Sequence, residues 1–195
     1  MLKQIQIVNV LLVLLGISST MGCAGGQVPG RTIGQRDEPR EQVVVVKTGQ
    51  GQFVIEFYPE SAPVTVGNFK KLVTKGFFDG LTFWRRVHTS NLSIIQGGDP
   101  EGNGTGGPGY TIVDEYTNHN QRPHLRGTVA MARTDVPNSA GSQFYICLQP
   151  QPFLDGRYTT FGRVVQGMES VDKLRIGDIM QTVRLEAKSK YVKYE

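Results

Sequence analysis

The chain reads as a mainly β protein, a closed barrel with helical lids, on three observations. Its 24 glycines outnumber the 10 prolines and fall in short clusters between apolar runs, which is how a turn-rich β protein separates its strands. Those runs are rich in Val, Ile, Phe and Tyr and are strand-length. Only two stretches carry apolar residues at helical spacing. With 195 residues, 38% hydrophobic and 19% charged, the chain is long enough to close one sizeable core.

Regular pattern begins at Val43. Residues 43–47 are an almost uninterrupted valine run, and residues 51–58 place Phe53, Ile55 and Phe57 on one face. The turn Thr48-Gly49-Gln50-Gly51 between them predicts a hairpin. Ser61-Ala62-Pro63 then supplies an N-cap with proline in the first turn of a helix, and Val66, Phe69, Leu72 and Val73 recur at helical spacing until Gly76 stops it. Further strand-like runs follow at 94–95, 128–132, 143–148, 160–165 and 182–187. A second, short helix fits residues 168–175, where Met168, Val171 and Leu174 stand three apart.

The N-terminus has a different character. Residues 1–22 read as a signal peptide: one cation, Lys3, an apolar segment shorter than a membrane span needs, then Ser18-Ser19-Thr20. Residues 23–41 read as a flexible Gly/Pro-rich tether, and residues 42–195 as the folded domain. Thr20-Met21-Gly22-Cys23 resembles a bacterial lipoprotein box, with Thr20 and Met21 in place of the usual Leu and small residue. That resemblance implies a lipid on Cys23 and an exported, periplasmic or cell-envelope protein that meets the membrane only through the lipid. Cys147 sits in the apolar run Phe144-Tyr145-Ile146-Cys147-Leu148, the setting of a buried, inert thiol.

Several function classes are disfavoured. The net charge of +4 comes from scattered Lys and Arg, densest at Arg184, Lys188, Lys190 and Lys193, without a nucleic-acid motif. Gly102, Gly104 and Gly107 formally satisfy G-x-G-x-x-G, but Pro108-Gly109 and then Tyr110-Thr111-Ile112-Val113 follow where a dinucleotide site needs a helix. His88, His119 and His124 form no i,i+4 pair and have no Cys or carboxylate at ligand spacing, so they read as surface or hydrogen-bonding residues and no metal is expected. Ser142 lacks the second glycine of a nucleophile elbow.

Phe83-Trp84-Arg85-Arg86-Val87, leading to Ile94-Ile95-Gln96-Gly97-Gly98-Asp99, resembles the F-H-R-V…Q-G-G-D block of the cyclophilins. The loop at 103–107, Val129-Ala130-Met131-Ala132-Arg133, Gly141-Ser142-Gln143-Phe144-Tyr145-Ile146 and Phe153-Leu154-Asp155-Gly156-Arg157 follow in the family's order. The resemblance spans residues 43–187. It implies a closed, eight-stranded antiparallel β-barrel capped by two α-helices, and a peptidyl-prolyl cis/trans isomerase that needs no cofactor. Its partners would be proline-containing peptides and unfolded exported proteins, not nucleic acid, and it would work as a monomer.

The same resemblance assigns a catalytic guanidinium to Arg85, with Arg86 as rival, because the segment between Phe83 and Gln96 is longer than the family's usual spacing. Strand alternation lets only one of the two face the cleft. Gln96 would join it as the catalytic pair, and Ile94, Ala132, Arg133, Gln143, Tyr145, Phe153, Leu154 and Tyr158 would bind substrate. Four positions depart from the pattern. Ser93 and Tyr145 stand at two pocket phenylalanines, Phe153 at a tryptophan linked to cyclosporin binding, and Trp84 at a histidine, which implies a rebuilt pocket and weak cyclosporin binding. A catalytically weak module that holds proline segments is the alternative reading.

Overall fold

A computed structural model describes residues 41–192. The segment expected to be a signal peptide, Cys23 and nearly all of the expected tether lie outside them. The elements in chain order are β1 (Gln42–Thr48), β2 (Gly51–Phe57), α1 (Pro63–Thr74), β3 (Phe83–His88), β4 (Ser93–Gly97), β5 (Thr128–Met131), β6 (Phe144–Cys147), β7 (Thr160–Gln166), α2 (Met168–Lys173) and β8 (Met180–Ala187), with 3-10 turns at Pro152–Leu154 and Lys188–Lys190. The expected hairpin is present. Thr48 Oγ1 closes its turn by accepting from the Gln50 N–H at 3.1 Å and donating to the Gly51 carbonyl at 2.9 Å. β3 is the strand that apolar periodicity alone does not mark.

All strands pair antiparallel in one eight-stranded sheet, ordered β3-β4-β6-β5-β7-β2-β1-β8. The sheet curls into a half-barrel rather than the closed barrel expected. Its end strands, β3 and β8, share no ladder and meet near their starts, at a bridge between Thr82 and Ile179 where the N–H groups of Gly80, Met180, Phe83 and Gly177 donate to the carbonyls of Met180, Leu81, Asp178 and Phe83 at 2.8–2.9 Å. The reason is local. On the free edge of β8 the Val183 N–H is taken by the Asp79 carboxylate at 2.9 Å, and Arg184 pairs with the same carboxylate at 2.7 Å, so a side chain stands where a neighbouring backbone would have to dock.

Strand alternation gives the sheet two buried faces. Val44, Val46, Phe53, Ile55, Ile95, Val129, Met131, Phe144, Ile146 and Phe161 point inward, where α1 and α2 cover them. Phe69 of α1 is the hub, within 4.7–6.1 Å, ring centre to ring centre, of Phe57, Phe78, Phe144 and Phe161. A second apolar cluster, Ile94, Ala130, Tyr145, Cys147 and Leu154, lies on the outer face of β4, β5 and β6. The candidate site is built on that outer face.

The cap of α1 differs from the one expected. Ala62 is its N-cap residue and makes no side-chain cap, while Ser61 donates instead to the Asn120 carbonyl at 2.5 Å. The orphan N–H groups of Val64 and Thr65 are satisfied by Glu115, which accepts them at 3.1 and 2.8 Å and the Thr65 hydroxyl at 2.7 Å.

Candidate active site

Which arginine faces the outer cluster is decided by a bulge. Phe83 pairs with Gly97 and points into the core, but the register then shifts so that Arg85 pairs with Gln96, Arg86 with Ile95 and Val87 with Ile94. Paired residues share a face, so the extra residue, Trp84, turns Arg85 and Val87 outward and Arg86 inward. Without the bulge, strict alternation from Phe83 would have put Arg86 on the cleft side. Arg86 instead reaches the C-terminal end of α2 and donates to the carbonyls of Asp172, at 3.1 Å, and Leu174.

Arg85 opens a directional chain of side-chain hydrogen bonds. Its Nη1 donates to Gln96 Oε1 at 3.2 Å, Gln96 Nε2 donates to Gln143 Oε1 at 3.0 Å, and Gln143 Nε2 donates to the carbonyls of Gly104 and Gly106 at 3.0 and 2.9 Å. Because arginine only donates, the sense of both amides follows from it. The loop at the far end is held by buried Asp99, whose carboxylate accepts the N–H groups of Glu101 and Asn103 at 2.9 and 3.0 Å and that of Gly104. The glycine run is therefore folded around a carboxylate, not opened as an anion cradle. Gly106 passes so close that a Cβ there would lie 2.1 Å from Asp99 Oδ1.

Beside the guanidinium is a pocket of about 230 Å³ lined by Arg85, Leu92, Ile94, Gln96, Ala132, Arg133, Tyr145, Phe153, Leu154 and Tyr158. It gathers every catalytic and substrate-binding residue expected from the sequence except Gln143. A larger hollow of about 560 Å³ adjoins it, and Arg85, Gln96, Ala132 and Arg133 line both. Gln143 lines this second space with Trp84, the 104–111 loop and Ser139. Arg133 stands at the junction, its guanidinium 5.3 Å from the ring centres of both Tyr116 and Tyr158 and donating to the Arg157 and Thr134 carbonyls at 3.1 and 2.8 Å.

Ser93 does not belong to the pocket. It is fully buried and hydrogen-bonds His88 Nδ1 at 2.7 Å, while Leu92 occupies the pocket wall. His124 is 1% exposed; its Nδ1 lies 2.7 Å from the Asp155 carboxylate and its Nε2 3.0 Å from the Tyr145 hydroxyl. Burial lowers its pKa from the ordinary 6.5, against the opposing pull of Asp155, and burial raises the Tyr145 hydroxyl well above 10.0. At neutral pH the ring is uncharged, donates from Nδ1 to Asp155 and accepts the tyrosine proton at Nε2. Cys147, on the same face of β6, is buried and its thiol is pushed up to about 12, which keeps it unreactive. Leu92, just before β4 and two residues from Ile94, was legible as an apolar neighbour of the pocket; His124 carried no local signal.

Comparison with known proteins places this geometry. The family model for cyclophilin type peptidyl-prolyl cis-trans isomerases matches residues 43–194. Peptidyl-prolyl cis-trans isomerase B of Bacillus subtilis is 48% identical over 131 residues, 67% of this chain and 88% of the relative. A peptidyl-prolyl cis-trans isomerase of Synechococcus elongatus is 46% identical over 143 residues, 72% of this chain and 94% of the relative. Among solved structures, a Cryptosporidium parvum cyclophilin crystallised in the presence of the dipeptide Ala-Pro superposes with a TM-score of 0.67 at 28% identity, covering 74% of this chain and 99% of that one. A half-barrel carrying an arginine, two glutamines and an apolar pocket on its outer face, matched along nearly its whole folded length, makes this chain a member of the cyclophilin-type peptidyl-prolyl cis-trans isomerases.

Proposed function

We propose that the pocket beside Arg85 receives the proline ring of a substrate peptide and that Arg85 is the catalytic donor. The observation that carries this reading is the Trp84 bulge, which sets the Arg85 guanidinium over an apolar pocket and beside Gln96. Rotation about an X-Pro bond is slow because amide resonance imposes a barrier of roughly 18–20 kcal/mol. No bond has to break. In the twisted amide the prolyl nitrogen becomes pyramidal and regains a lone pair, and a fixed N–H donor beside it stabilises that state more than either planar one. Arginine suits the task because it stays charged and its planar fork is held in one orientation, here by Gln96.

Ile94, Leu92, Tyr145, Phe153, Leu154 and Tyr158 would enclose the ring. Gln96, Gln143 and the backbone at Ala132 and Arg133 would hold the flanking peptide in the larger hollow. Export and membrane attachment are part of the proposal. The apolar segment before Cys23 and the Gly/Pro-rich stretch after it support clients that are proline-containing, unfolded exported proteins.

Isomerisation of a proline peptide, followed by NMR exchange, tests the role of Arg85. Arg85→Ala should lose roughly 10²- to 10³-fold in kcat/KM. Arg86→Ala should keep the activity and lose about 1 kcal/mol of stability with its bonds to α2. The reverse pattern would move the role to Arg86, and peptide binding without faster exchange would leave a binding module. Cys23→Ser should shift the protein from the membrane to the soluble fraction; unchanged fractionation would remove the anchor.

A further inference from the structure

We propose that Asp155, His124 and Tyr145 form a hydrogen-bonded relay that fixes the wall of the proline pocket, with His124 as a positioning residue whose protonation loosens substrate binding. This rests on the reading of that pocket as the proline site. The relay joins three parts of the chain that must agree for the pocket to exist. Tyr145 projects from β6, His124 precedes β5, and Asp155 directly follows the 3-10 turn that carries Phe153 and Leu154.

The connections are redundant at the Asp155 end and single at the tyrosine end. Asp155 Oδ1 accepts both the His124 N–H, at 2.8 Å, and its Nδ1–H, at 2.7 Å, and the Gln151 N–H donates to the His124 carbonyl at 2.7 Å, so the turn is tied to the histidine from both sides. The Tyr145 hydroxyl has Nε2 as its partner at 3.0 Å. The two rings lie nearly parallel, 14° apart, while Tyr158 packs edge-to-face with Tyr145. The hydroxyl thereby sets the tilt of the ring that walls the pocket.

Protonation reverses the polarity of this last bond. With a proton on Nε2 the imidazolium donates to the tyrosine oxygen, and the phenolic proton, which stays on at every relevant pH, loses its acceptor inside a nearly closed site. The other groups acting on this pair are Cys147, uncharged near neutrality because its thiol is pushed up to about 12, the Tyr158 ring, and Arg133, whose positive charge adds to that of an imidazolium. Asp155 is the counter-charge on the far side of the ring. The cost falls on the ring geometry that proline must meet, so it appears in KM more than in kcat.

The experiment follows kcat/KM by NMR exchange, and the affinity of an Ala-Pro-containing peptide by NMR titration, from about pH 8 to about pH 4, with the His124 ring proton shift recorded alongside. The wild type should lose roughly tenfold in affinity towards acid, with the midpoint of the His124 titration and below the ordinary histidine value. Tyr145→Phe, which keeps the ring and removes the hydroxyl, should flatten that acid limb, as should His124→Gln. An unchanged acid limb in Tyr145→Phe, or a wild-type affinity that stays flat while His124 titrates or fails to titrate, overturns the relay. If His124→Gln does not fold, Tyr145→Phe decides. Absence of isomerisation at every pH would instead sink the isomerase reading, and the affinity profile would still judge the relay.

Discussion

A Cβ on Gly104 would stand 2.8 Å from the Trp84 ring, and the backbone there has φ +97°, a region that residues with a side chain rarely enter. The same residue offers its carbonyl to Gln143 at 3.0 Å, so this loop is shaped by the absence of a side chain and used through its backbone. Gly104→Ala should move Trp84 or the carbonyl and release the end of the chain that runs back to Arg85. Strain of this kind costs about 1–3 kcal/mol, and since Arg85 itself is untouched, KM for a proline peptide should rise several-fold while kcat changes little. An equal fall in kcat would mean that the loop acts on the guanidinium. The glycine spacing was visible in the sequence, but its use was not. What distinguishes a carboxylate-centred loop from a phosphate cradle is Asp99 turned inward, and side-chain direction is a tertiary fact. Ser93 teaches the same lesson: its position pointed to the pocket, while the register of β3 on β4 sends it to His88 and leaves Leu92 at the wall.

At the scale of elements, both helices and most strands follow from periodicity, because each buries one face and the spacing of that face is local. Their ends and bends do not. The cap of α1 comes from Glu115, some fifty residues away in the chain, where no helix-start signal could register it. Glu115→Gln keeps the shape and removes the negative charge facing the helix N-terminus. It should lower unfolding stability by about 1–2 kcal/mol and the melting temperature with it, while kcat/KM per folded molecule stays as in the parent. A melting temperature unchanged by this substitution would show that the buried carboxylate contributes little to α1. The bulge at Trp84 is the second such feature. A sequence with two adjacent arginines leaves the choice between them open, and only the paired strand, through its fixed alternation, settles which one turns outward.

For the whole molecule, the curl of the sheet leaves one edge of β8 capped by Asp79 rather than by β3, and alternation, which fixes faces, says nothing about closure. The charge distribution gives the assembled fold a graded response to acid. Burial of His124 outweighs Asp155 and depresses its pKa below 6.5. Between that depressed value and 6.5 the unfolded chain binds more protons at this site than the folded one, so stability is whole above 6.5 and declines as pH falls through this window. Glu56 on β2 acts lower. Burial raises its pKa, but hydrogen bonds and charges from Lys188 and Arg163 together outweigh burial and set it below 4.5. Its contribution is therefore present above 4.5 and is lost as pH falls through the folded value. Unfolding free energy from urea titrations should thus decline in two stages on acidification, a first below about pH 6.5 and a second below about pH 4.5. His124→Gln should abolish the first stage and leave the second, and Glu56→Gln should shrink the second, to which Glu186 beside Tyr191 and Lys190 also contributes, and leave the first. If His124→Gln shows the same decline between the two values as the wild type, the buried imidazole is not the group that titrates, and the acid response must be sought elsewhere in the fold.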